Sequence, residues 1–246
     1  MFYIQYDKQT KLMSPEAATF AELISQKCWK ENTQLSDCMR LVDLSEITQP
    51  VPSVVPVGSV EFCEKVFGKD ITPLNVPLPL RTMDFAGRQV WELDRTDLEH
   101  LLPKIGKAFI KSATRCKTDY TGIYRCGDTL PDDSRYFVST VKETPVAEWR
   151  CFVYLDSLVD VRRYNGSYAE TLTQSGFSQI SKMIQAMKNY YGTKLPAYVL
   201  DVGRFPDSDT LKIIEAHIFI AYGLYGCENS MLLPMLNAGA KTVLCH

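Results

Sequence analysis

Two acidic residues, Asp201 and Glu215, lie in apolar runs that alternate as strands do. Residues i and i+2 of a strand share a face. Glu215 and His217 therefore face one way, and Val199, Asp201 and Gly203 share a face of the preceding run. Pro206-Asp207-Ser208-Asp209 between the runs is turn chemistry. A hairpin closed there sets Asp201 almost opposite Glu215. Like charges on neighbouring strands repel unless a cation sits between them. Hard carboxylate oxygens that lean on phosphates suit Mg2+. The competing reading is that one carboxylate faces solvent or pairs with Lys212 or Arg204.

Cations recur upstream. Lys111 ends the apolar run Ala108-Phe109-Ile110-Lys111, a compact point charge suited to phosphate oxygens. Arg115 and Lys117 follow, then Tyr120-Thr121-Gly122, where glycine permits the close backbone approach of a flap over phosphates. On composition alone, Lys104, Lys107, Lys111, Arg115 and Lys117 read better as a solvated basic face. In the run from Glu148 to Leu155, alternation puts Glu148, Arg150, Phe152 and Tyr154 on one face. Trp149, Cys151, Val153 and Leu155 then form the core face. Glu148 and Arg150 either point into a cleft or make an intra-strand ion pair, worth about 0–1 kcal/mol when exposed. One of Arg162 and Arg163 shares the face of Arg150, and Asn165-Gly166 signals a turn.

The elements that must position these side chains follow from periodicity. Strands are expected at Phe2–Tyr6, Ala108–Lys111, Tyr136–Ser139, Glu148–Leu155, Leu158–Val161, Ala197–Phe205 and Leu211–Phe219. Asp156-Ser157 turns the Glu148 run into the Leu158 run. Phe20, Ile24 and Cys28 recur at helical spacing. Phe177, Ile180, Ile184, Met187 and Tyr191 fall on one face of a helix over 174–191 that Gly192 ends. Ser59 caps a helix running through Phe62 and Val66. The proline-punctuated stretches 50–57 and 73–79 are extended. The pattern is α+β, with a mainly antiparallel sheet in the later part.

The chain has 246 residues, 46% of them hydrophobic and 23% charged, which fits a globular protein rather than a disordered one. A net charge of −2 gives no overall drive toward nucleic acid or an anionic membrane. No apolar run reaches the roughly 20 residues of a membrane span. The N-terminus lacks the pattern of a signal peptide, so a cytoplasmic location is expected. None of the eight cysteines forms a CxxC pair, which argues for reduced, packed thiols over a zinc site.

The order of these pieces resembles the ATP-grasp superfamily, most closely the clade named for two arginines and a lysine. The resemblance rests on Phe-Ile-Lys111, Lys117 with Thr-Gly122, Glu148-Trp-Arg150, Arg-Arg-Tyr164-Asn-Gly166, Asp201-Val-Gly, and Ile-Glu215-Ala-His217. Tyr222-Gly-Leu-Tyr-Gly226 and Pro56-Val-Gly-Ser-Val-Glu-Phe62 extend it to about 55–226. It implies a small N-terminal α/β lobe over 1–80 and an ATP-grasp domain over 81–246. It also implies ATP and Mg2+ as cofactors, a carboxylate substrate and an amine acceptor. Lys111 would hold the α- and β-phosphates, with Lys117 on the flap. Glu143 to Ala147 would be the hinge with the adenine and ribose contacts, and Glu148 lies at its end. Arg150, with Arg162 or Arg163, would hold the γ-phosphate; Arg163 is the expected partner. Asp201 and Glu215 would be metal ligands, with His217 as the third. The family usually places Asn at the position of His217. Imidazole is a poorer partner for Mg2+ and a better one for softer metals. Ser112 stands where the family pattern suggests proline. A non-catalytic ATP-binding regulatory module is the alternative that His217 raises, and an ATP-using RNA-modifying enzyme is the one that the basic 104–117 stretch raises.

Overall fold

In the computed structural model, Phe2–Gln5 (β1) is the middle strand of a parallel three-stranded sheet. Residues 1–206, 208–227 and 230–245 are described. Asp207, in the turn expected before the last strand, lies outside them. The chain divides into two compact units that interleave in sequence. Met1–Ile71, Lys194–Tyr198 and Ile218–His246 form the first; Thr72–Thr193 and Val199–His217 form the second.

In the first unit β1 is followed by α1 (Pro15–Glu31), α2 (Leu35–Cys38), β2 (Met39–Val42), β3 (Val55–Val57) and α3 (Val60–Phe67). Ser14 Oγ accepts from the Ala17 amide, and Pro15 occupies the first turn, where its missing N–H costs nothing. The helix buries Ala17, Phe20, Ala21, Ile24 and Cys28, the stripe its periodicity gives. Ser59 caps α3 by accepting from the Phe62 amide, as its sequence position predicts.

The second unit holds α4 (Met83–Ala86), β4 (Val90–Leu93), α5 (Arg95–Ile105), β5 (Lys107–Ser112), β6 (Gly122–Arg125), β7 (Tyr136–Ser139), β8 (Ala147–Tyr154), β9 (Ser157–Gly166) and α6 (Gln174–Tyr191). After β10 (Ala197–Arg204) and β11 (Leu211–Ile218) the chain ends in α7 (Leu232–Cys245), which packs on α1 and β3 within the first unit. Gly239 of α7 has no room for a Cβ, which would meet the Phe219 carbonyl.

Two four-stranded sheets make up most of the second unit. One, in the order β4-β7-β5-β6, is antiparallel throughout. Leu98 and Leu102 of α5 cover it, packing with Ala108, Ile110, Leu130, Tyr136 and Val138. Removing a buried leucine side chain such as Leu98 costs about 2–5 kcal/mol. The other sheet runs β11-β10-β8-β9, with β8 and β9 antiparallel.

The β8–β9 hairpin departs from strict alternation. Its turn is Leu155-Asp156, both at positive φ (47° and 61°), the type I′ pattern that matches strand twist. Leu155 is therefore not on the core face; it is 61% exposed. Asn165-Gly166 is not a turn but the end of β9, paired with Glu148 and Ala147. Gly166 is required there, since a Cβ would strike the Val146 carbonyl. Phe177 of α6 is also exposed, and Gly176 and Met183 share the buried stripe instead.

Candidate functional site

Four charged side chains from four strands of the second unit meet in two ion pairs. Arg150 of β8 grips Asp201 of β10 with two parallel bonds, Nε to Oδ1 at 2.8 Å and Nη2 to Oδ2 at 2.6 Å. Lys111 of β5 donates to Glu215 of β11 at 2.6 Å. His217 Nε2 lies 2.9 Å from the other Glu215 oxygen. Asp201, Glu215 and His217 each offer a ligand atom within 4.8 Å of the others. Burial works against ionisation of Glu215. Lys111, and after it His217, outweighs burial and holds the pKa well below the usual carboxylate range. Two carboxylates and an imidazole at this separation fit a divalent cation.

Neighbouring side chains fix these positions. Phe137, paired with Lys111 in register, lies under its ammonium at 5.3 Å. Tyr164 lies under the Arg150 guanidinium at 5.7 Å and donates to Glu148 at 2.7 Å. Burial, then the Asp201 charge, pushes the Tyr164 pKa up, so it remains a hydroxyl donor. Asn75, buried and at φ 52°, bridges the ends of two strands. Its side chain donates to the Ser112 carbonyl and its own carbonyl accepts from the Ala216 amide. It thereby ties the residue after Lys111 to the residue after Glu215.

Arg88, which no sequence pattern singled out, donates to the carbonyls of Ile213 and Ile214 at 2.8 and 2.9 Å. Successive carbonyls of a regular strand point to opposite edges, so one guanidinium reaching both marks a bend in β11. Ile214 lines the cleft and Glu215 pairs with Lys111, although strict alternation would separate them. Burial lowers the Arg88 pKa to about 10, while the Glu215 charge acts in the opposite sense.

Beside the charged cluster lies an apolar cleft of about 250 Å3. Phe109 and Ile123 line it from one sheet, and Ile214 and Phe205 from the other sheet and its margin. Ser139 to Lys142 and Pro145 supply the connecting segment, with Arg88 and Glu148 at its polar parts. Phe109 precedes Lys111 by two residues and so shares its face.

Three residues expected in the site stand outside the ion-paired cluster. Register pairs Arg150 with Arg162, while Arg163 pairs with Trp149 on the other face. Arg163 instead donates to the Ser167 and Glu170 carbonyls and stacks on Tyr168 at 4.2 Å. Arg162 donates to Asp160 at 2.8 Å. The register shift between Phe152 and Val153, which lies between the turn and Arg150, decides which arginine faces the cluster. Glu143 is exposed, and the cleft takes Lys142 and Pro145 from that segment instead. Lys117 is exposed on the loop between β5 and β6, outside the cluster. Arg150 pairs with Asp201 rather than with Glu148, and all eight cysteines are thiols rather than disulfides.

Two sheets flank a cleft, with a strand lysine, a strand arginine and paired carboxylates at one end, which is the architecture of an ATP-grasp domain. Residues 85–235 match the ATP-grasp domain of family 2 in the clade named for two arginines and a lysine, and the chain belongs to that family. The α+β architecture expected from the sequence is thus the ATP-grasp fold. Among solved structures the chain is similar to the D-cycloserine synthetase DcsG, with a TM-score of 0.56 and 11% identity over 98% of this chain and 99% of that one. It is also similar to the RimK domain ATP-grasp protein of Sphaerobacter thermophilus DSM 20745, with a TM-score of 0.53 and 12% identity over 99% and 100%. D-alanine–D-alanine ligase of Bacillus anthracis, complexed with ATP, gives a TM-score of 0.51 and 10% identity over 99% and 97%. At these identities the likeness is one of fold. No curated protein matches the chain in sequence. No helix among the described residues is long and apolar enough to cross a membrane.

Proposed function

We propose that this protein is an ATP-dependent ligase that activates a carboxylate as its acyl-phosphate and joins it to an amine. The supporting observation is the meeting of the Lys111–Glu215 and Arg150–Asp201 pairs with His217, beside a cleft of flat and branched apolar side chains. Phe109, Ile123 and Ile214 suit the faces of an adenine ring. Polar backbone of 139–142 suits its edge, and the Glu148 carboxylate suits ribose hydroxyls.

Mg2+ held by Asp201 and Glu215, with His217 as third donor, would neutralise phosphate charge. Each carboxylate already has a cationic partner, and a triphosphate would be admitted by exchange at the more exposed pair, Lys111–Glu215. The Lys111 ammonium leaves Glu215 for phosphate oxygens, and Glu215 becomes available as a ligand. An oxygen of the substrate carboxylate then attacks the γ-phosphorus and ADP leaves. The amine attacks the acyl carbon, and phosphate leaves with the former carboxylate oxygen. Lys111 and Arg150 act by position and charge, the main means by which proteins promote phosphoryl transfer.

ADP release is measured with ATP and Mg2+ over a panel of amino acids and short peptides. Lys111→Ala and Glu215→Ala are each expected to lower turnover by about 10²-fold or more, as loss of a charge-stabilising group does, with the fold retained. Full turnover in either variant sinks the assignment. His217 in the cluster favours one second reading, a regulatory module that binds ATP without turnover. Tight ATP binding with no ADP release on any member of the panel would select it.

A further inference from the structure

The loop 113–121 joins β5 to β6 directly after Lys111 and Ser112, and one carboxylate holds it at both ends. Asp133, on the segment before β7, has a side chain only 3% exposed. At the near end it accepts from Ser112 Oγ at 2.6 Å, Arg115 Nη2 at 3.2 Å and Thr114 Oγ1 at 3.4 Å. At the far end it accepts from the Tyr120 hydroxyl. Ser112 Oγ in turn accepts from the Thr114 and Arg115 amides at 3.2 and 2.9 Å, so the loop's first turn folds back on the same hydroxyl. The carboxylate is itself fixed. Its Oδ1 accepts from the Ser134 amide at 2.6 Å, and the Asp133 amide donates to the Tyr136 hydroxyl, which donates to the Pro131 carbonyl. Burial opposes ionisation of Asp133, but the bonds from Ser112, Tyr120 and Arg115 outweigh it, so the group stays charged.

The ammonium of Lys111 and the start of this loop are one residue apart. Ordering a loop costs backbone entropy for every residue that is fixed. A loop already ordered spares a ligand that cost. Ser112 is the member of the network that the family pattern does not anticipate, and a proline there would have no hydroxyl to donate.

We propose that Asp133 is a positioning residue that holds loop 113–121 as a preformed strap beside Lys111, set to cover the phosphates of ATP. The proposal rests on the nucleotide reading above, and its test separates the two. Asp133→Asn in the full chain is expected to raise amide hydrogen exchange within 113–121 and to speed tryptic cleavage after Arg115 and Lys117. Exchange in α5 and β8 should stay at the wild-type level, which general destabilisation would not allow. ATP with Mg2+ should bind about tenfold more weakly, the usual scale for loss of an orienting group. Wild-type exchange and cleavage in the loop would overturn the strap, and a loosened loop with unchanged ATP affinity would overturn its role. Should Asp133→Asn fail to fold, Tyr120→Phe carries the test, since it removes one hydroxyl from the far end; a loosened loop supports the strap and an unchanged one overturns it. Exchange and proteolysis need no nucleotide. Failure of the wild-type chain to bind ATP therefore sinks the nucleotide reading and leaves the strap judged on these readouts alone.

Discussion

The two ion pairs of the site are built differently. Arg150 and Asp201 are buried, with side chains 6% and 2% exposed, and they meet through two parallel bonds. Lys111 and Glu215 are 16% and 28% exposed, meet through one bond, and share Glu215 with His217. A buried bidentate pair resists separation, because either charge left alone is costly. A half-open pair whose carboxylate has a second partner exchanges readily. The first pair is therefore the fixed wall of the site, and in the proposed reaction the second is the side that would open to phosphate and metal.

Unequal losses of stability test this contrast first. Arg150→Ala leaves the buried Asp201 carboxylate without its cation and is expected to lower unfolding free energy by about 3–5 kcal/mol. Lys111→Ala is expected to cost about 1 kcal/mol or less, as for accessible pairs. Urea unfolding of both variants measures the difference, and equal losses would erase the distinction between wall and door.

His217→Asn sharpens the contrast on the open side alone. Exchanging imidazole for a carbonyl oxygen should shift the Mn2+/Mg2+ affinity ratio toward Mg2+ by about tenfold, the lower end of what ligand-environment changes give. Competitive metal titration followed by Mn2+ resonance reads the ratio, and an unmoved ratio would remove His217 from the ligand set. The smallest effect concerns the strap carboxylate. The folded pKa of Asp133, which faces Arg115 and Tyr120, lies below the ordinary value of about 3.9. Its stabilisation is thus full above that value and is lost as pH falls through the folded pKa. Thermal melts between about pH 2 and 6 should fall less steeply on the acid side for Asp133→Asn than for the wild type.

Much of this arrangement is legible from period-two alternation. It puts Glu215 beside His217 and Lys111 at a strand end, and two strands carrying Asp201 and Glu215 become neighbours in one sheet. What alternation misses lies where a strand is irregular. The register shift between Phe152 and Val153 in the β8–β9 hairpin puts Arg162 rather than Arg163 beside Arg150. Arg88 reaches β11 through carbonyls more than a hundred residues away, and backbone carbonyls leave no mark in residue types. Asp133 is likewise an unremarkable acid in a polar loop until the fold brings Ser112 and Tyr120 to it. Helix α5 leaves only a faint periodic signal, because Asp94 as cap and Leu98 with Leu102 as buried stripe belong to a short segment in which charged and apolar residues are mixed.

Titration calorimetry of ATP with and without Mg2+ into the wild-type chain and into Glu215→Ala tests the central claim most directly. Nucleotide binding should be tight and metal-dependent in the wild type. In the variant the metal dependence should vanish while the fold persists by circular dichroism. Identical metal-dependent binding in both proteins would contradict the account.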